Sequence, residues 1–117
     1  MGNTVWVLDE NSDEDEWDHS LILVHEKPLD NLANELGITK LSDLYDHSIL
    51  AEEYGGEVEP NFVDAQALAT TIEALLGAIQ DGKLNSDAEL IEELQDCLKK
   101  TLAASSQGLK VRLAIVP

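Results

Sequence analysis

Two short stretches repeat the order aromatic, Asp, His, Ser, aliphatic: Trp17-Asp18-His19-Ser20-Leu21 and Tyr45-Asp46-His47-Ser48-Ile49. Asp, His and Ser are the residue types of a hydrolytic relay, in which a carboxylate orients an imidazole that takes the proton of a hydroxyl. Their adjacency opposes that use, because consecutive side chains on an extended chain point to opposite faces. A relay would need His19 to meet Asp46 or Ser48 across the fold. The pattern also suits turn and cap positions, where Asp and Ser satisfy nearby backbone groups. A third use is a metal or polar binding site, although the spacing is not that of two histidines four apart on a helix.

The other chemistry-bearing feature is acidic. Asp9, Glu10, Asp13, Glu14, Asp15, Glu16 and Asp18 place seven carboxylates within ten residues. Asp9, Asn11 and Asp13 match the first three ligand positions of an EF-hand loop, but Glu14 stands where the sharp turn needs Gly and Ser20 where a bidentate Glu is needed. A weak, hydrated calcium or magnesium site on Asp9, Asn11, Asp13 and Asp15 is one reading. A solvated, exposed and mobile loop is the other, and it offers Asp13, Glu14, Asp15, Glu16 and Asp18 to a basic partner. The lone Cys97 lies on an apolar stripe and reads as a buried thiol rather than a nucleophile. Gly55-Gly56 follows a polar stretch and opens no helix, so no phosphate loop is present.

Composition bounds what these residues can serve. The 117 residues suit a single domain spanning 1–117, and a hydrophobic fraction of 44% is too high for a disordered chain. With 24 acids against 7 bases the net charge is −17, which opposes binding to nucleic acid or to an anionic membrane surface. Residues 1–60 hold 16 acids and 2 bases, giving −14, and the remainder holds 8 acids and 5 bases, giving −3. One cysteine permits no intrachain disulfide, and the start shows neither a basic-then-apolar leader nor a complete myristoylation signal, so the expected location is cytoplasmic. The leading functional reading is a non-enzymatic interaction module without a cofactor, regulatory or immunity-like, whose acidic surface engages a basic protein. A divalent-cation binder centred on residues 9–18 and a hydrolase using His19 or His47 are the alternatives.

Hydrophobic patterning supplies the elements that must position these groups. Thr4 to Leu8 and Ser20 to His25 read as strands flanking the acidic loop, each apolar on both faces. Pro28 to Gly37 reads as a helix, Leu41 to Tyr45 as a helical turn or two, and Ser48 to Tyr54 as a further short helix. Glu57 to Pro60 is an extended linker, because Pro60 biases Glu59 away from helix. Asp64 caps a long helix that stops at Gly82, and Ser86 with Glu89 forms a capping box for a second, antiparallel to the first, with Leu90, Ile91, Leu94, Cys97, Leu98 and Leu102 on one stripe. Leu109 to Val116 is a strand carrying Lys110 and Arg112, bases suited to neutralising acids in the sheet. The expected class is α+β: a small antiparallel or mixed sheet from the N-terminal strands and the C-terminal strand, with two long antiparallel helices and shorter helices between.

The series Leu36-Gly37-Ile38, Leu41-Ser42-Asp43-Leu44-Tyr45, Asn61-Phe62-Val63-Asp64 and Lys110-Val111-Arg112-Leu113-Ala114-Ile115 resembles a family of small acidic bacterial proteins without an assigned function. The resemblance covers most of the chain after Leu21. It implies one compact domain of bacterial type and carries over no active-site residue.

Overall fold

The C-terminal strand organises the molecule. The computed structural model describes residues 3–12, 14–15, 17–84 and 88–117. Its three strands, β1 (Thr4–Asp9), β2 (Tyr45–Asp46) and β3 (Val111–Val116), form one mixed sheet with β3 in the centre. β1 runs antiparallel to β3, from Thr4 opposite Val116 to Asp9 opposite Val111. On the other edge β2 runs parallel to β3, with Tyr45 opposite Leu113, and Val63 adds an antiparallel bridge to Val111. All six residues of β3 are buried, as befits a central strand covered on both faces.

The helices are α1 (Ser20–Val24), α2 (Glu26–Leu36), α3 (Ser48–Glu53), α4 (Ala65–Gln80) and α5 (Ala88–Ser106). Pro28 sits in the first turn of α2, where its missing N–H has no helical partner to lose, and Gly37 ends the helix at φ +69°, a conformation other residues avoid. Asp64 caps α4 by accepting from the Ala67 amide at 3.1 Å. The Ser86 half of the expected capping box lies outside the described residues. α4 and α5 pack on each other, and Leu68, Ile72 and Leu75 of α4 share one core with Leu90, Leu94 and Cys97 of α5 and with Val5 and Leu113 of the sheet. Burying a side chain such as Leu75 or Leu94 completely is worth about 2 kcal/mol.

Three expectations need correction. Ser20 to His25 is a helix, not a strand. A short apolar run fits either element by periodicity, and β1 finds its sheet neighbour in β3, so the run packs as α1 against β1 and α5 instead. Tyr45 and Asp46, read as the end of a helical turn, follow a 3₁₀ turn at Leu41–Leu44 and form β2. Leu102 faces outward, 41% exposed. The inward face of α5 runs through Leu90, Leu94, Cys97, Thr101 and Ala104, and Leu102 lies one residue, about 100°, past it.

Candidate functional site

Three charged residues on successive turns of α5 hold the segment that follows the acidic run. Glu93, Asp96 and Lys100 share one face through i, i+3 and i+7 spacing. Glu93 is 7% exposed and accepts from the Leu21 amide at 2.9 Å, serving α1 as an N-cap that His19 does not provide from its own side chain. Asp96 accepts from His19 Nε2 at 2.7 Å. Lys100 bridges Asp96 at 2.9 Å and also binds Asp15. Residues 15, 19 and 21 are thus fixed to residues 100, 96 and 93, which makes a ladder of polar rungs along the helix.

His19 is the centre of that ladder. Its ring is fully buried, and its other nitrogen, Nδ1, lies 3.0 Å from the Val5 carbonyl oxygen, so each ring nitrogen faces an oxygen. Trp17 stacks over it with centroids 5.9 Å apart. The His19 amide also donates to Val5, and the Val7 amide donates to Asp15 Oδ2 at 3.0 Å. Val5 and Val7 turn these groups to the outer edge of β1, where no strand follows among the described residues, so the His19 amide and loop side chains satisfy the edge in place of a fourth strand.

The electrostatics follow from burial against pairing. Burial alone would raise the Asp96 carboxyl, but hydrogen bonds from Lys100 and His19 outweigh it and hold the group below its usual range. Lys100 is raised in turn, because bonds to Asp15 and Asp96 outweigh its desolvation. Glu93 goes the other way: burial pushes it up despite the Leu21 bond and the nearby His19. Burial also raises Cys97 well above an ordinary thiol, which leaves it without thiolate character.

A second buried charge pair lies across the sheet. Arg112 Nη1 donates to Asp46 Oδ2 at 2.9 Å and to Ser48 Oγ at 3.2 Å, with its guanidinium 5.3 Å from the Phe62 ring. Asp46 also accepts from the Asn61 amide and from both the amide and hydroxyl of Ser48. Its burial would raise the carboxyl, yet these bonds together lower it.

The carboxylates singled out from the sequence therefore divide. The side chain of Asp15, expected in an exposed, mobile loop, is 3% exposed and bound to Lys100; its value to the fold lies in the β1 edge and the α5 ladder. That contact also uses oxygens that the cation reading would give to a metal. Asp9 accepts from the Asn11 amide in a local turn, Glu10 from the Lys110 amide, and Asp18 from the Trp6 indole. Glu14 is exposed. Asp13 and Glu16 lie outside the described residues. A cleft of about 260 Å³ lined by Asp9, Ser12, Glu14, Asp15 and Lys100 opens beside the ladder. Neither histidine is hydrogen-bonded to a serine among the described residues: His19 faces Val5 and Asp96, and Ser48 donates to Asp46.

Away from these pairs the surface is acidic and in one place apolar as well. Residues 52–61 are exposed without interruption. Tyr54 is 82% and Val58 52% exposed, among Glu52, Glu53, Glu57 and Glu59. Sequence reasoning missed the tertiary partners of Glu93, Asp96 and Lys100. The available signal was a charged stripe, Glu93, Asp96 and Lys100, running beside the apolar stripe of the same helix. Compared with protein-family models, curated proteins and solved structures, the chain matches none.

Proposed function

We propose that the protein is a non-enzymatic interaction module that engages a basic protein partner through its acidic surface, in a regulatory or inhibitory role. One observation carries this reading. Among the described residues, the carboxylates in ion pairs are those of Asp15, Asp46 and Asp96, all turned inward. The ion-paired acids thus hold the fold together, while Glu14, Glu52, Glu53, Glu57 and Glu59 carry negative charge on the exposed surface. A field of that sign raises the encounter rate with cationic partners and disfavours acidic ones.

The test is affinity capture on the immobilised protein at low salt, followed by association rates of the recovered partner against ionic strength. The expected partner is cationic, with an association rate that falls about tenfold between low and physiological salt. Recovery of a neutral or acidic partner with salt-independent kinetics would overturn the reading.

A further inference from the structure

We propose that Tyr54–Pro60 is the docking surface for the basic partner and receives an extended segment of it in which lysine or arginine alternates with an apolar residue; this rests on the basic-partner reading above. The segment is held at both ends and free between them. The Gly56 amide donates to the Ala51 carbonyl at 2.8 Å, and Asn61 is fixed through its amide to Asp46 and through its side chain to the Tyr45 carbonyl. Between these anchors the amides and carbonyls of Glu57, Val58 and Glu59 make no hydrogen bond among the described residues. Pro60 lacks an amide hydrogen and keeps Glu59 extended. A strand-like partner can therefore pair with backbone that is already in place and loses little freedom on binding.

Charge and apolar exposure choose the occupant together. No lysine or arginine occurs between residues 41 and 82, and among the described residues Glu52, Glu53, Glu57 and Glu59 form no ion pair. Single exposed apolar side chains are ordinary, but Tyr54 and Val58 lie four residues apart on one strap. Glu52, Glu57, Val58, Glu59 and Pro60 line a shallow cavity of about 460 Å³ beside them. Carboxylates flanking an exposed apolar side chain fit a segment whose cationic heads reach the glutamates while its apolar residues cover Val58 and the Tyr54 ring. A second copy of this chain would bring the same carboxylates together and be repelled.

The experiment is a titration of the ¹⁵N-labelled full chain at low salt with a ten-residue peptide alternating lysine and leucine, and with a second in which serine replaces leucine. Saturable amide shifts confined to residues 52–62 are expected, weaker by about tenfold for the lysine-serine peptide and for the variant carrying Tyr54→Ser with Val58→Ser. Amides outside the segment report that this variant remains folded. Shifts centred on residues 9–18, or spread evenly over the acidic faces and unchanged in the variant, would overturn the docking surface while leaving the basic-partner reading intact. Absence of saturable binding by either peptide would overturn both. Concentration-dependent shifts of residues 52–62 without peptide would assign the surface to a second copy and overturn the proposal.

Discussion

The two Asp-His-Ser stretches begin alike and end differently. Each delivers its chain to a short helix, with His19 at the N-cap of α1 and His47 at that of α3. In the first, the histidine is buried on Asp96 while Asp18 lies outside on the Trp6 indole. In the second, the aspartate is buried on Arg112 while His47 lies outside, edge-on to Tyr45. The local sequence specifies a turn into a helix; the hydrogen-bonding partner supplied by another element decides which polar residue of the motif goes inward. An α5 carboxylate selects the histidine, and a β3 guanidinium selects the aspartate. A buried charge without such a partner would be strongly unfavourable.

The largest effect should therefore come from removing a counter-charge. In Arg112→Met the Asp46 carboxylate, 1% exposed, loses its cation, and destabilisation of about 3–5 kcal/mol is expected by urea unfolding. Combining it with Asp46→Asn should recover a substantial part of the loss, since the uncompensated charge is then gone. A single variant within experimental error of the parent would show that Ser48 and Asn61 alone hold Asp46.

His19 and His47 give the next contrast. His19→Ala deletes two ring hydrogen bonds and leaves a cavity under Trp17, so a loss of about 2–4 kcal/mol is expected. His47 is exposed, and His47→Ala should change stability by no more than about 0.5 kcal/mol. Equal losses at the two positions would break the comparison, because they would place the role in the N-cap location rather than in the buried partner.

The same contrast explains how much could be read beforehand. Periodicity and caps located α2, α4 and the strands β1 and β3, because each has a pattern longer than one turn or one alternation. They failed at Ser20–Val24 and at Tyr45–Asp46, where the pattern is too short to choose and contacts distant in sequence decide. The acidic run was legible as charge but not as structure. Nothing local distinguishes Asp15, bound to Lys100 eighty-five residues away, from exposed Glu14 beside it. The exposed segment after Tyr54 was visible as a linker, and its apolar exposure became evident only once the fold showed Tyr54 and Val58 exposed.

Acid and alkaline titration sharpen the picture with opposite signs. Asp46 and Asp96 have folded pKa values below the usual 3.8, so their stabilisation is complete above that pH and is lost as pH falls through the lowered values. Asp96→Asn should flatten the acid limb of a stability profile below pH 3.8. Glu93 is raised above 4.5, so its contribution is present below that pH and is lost as pH rises through the folded value; Glu93→Gln should flatten the profile above 4.5. Lys100, raised above 10.5, contributes below that pH and loses its contribution at more alkaline pH, a limb that Lys100→Met should remove. A profile that Asp96→Asn and Glu93→Gln change in the same direction would mean that one of the two rungs has been assigned the wrong sign.

The smallest effect isolates the outward half of the comparison. Asp18 occupies the position of Asp46 in its own stretch, but its partner is the Trp6 indole at 2.7 Å on the exposed surface. Water replaces either group there at little loss, so Asp18→Asn, which keeps an acceptor oxygen, should alter stability by less than about 0.5 kcal/mol. The substitution should still move the Trp6 indole proton resonance, because a neutral amide accepts more weakly than a carboxylate. Asp46→Asn, the same chemical change at the buried position, removes the anion that faces Arg112 and should cost several times more. If the two asparagine substitutions destabilise equally, burial and counter-charge do not distinguish the copies, and the motif would have to act through a local property that both share.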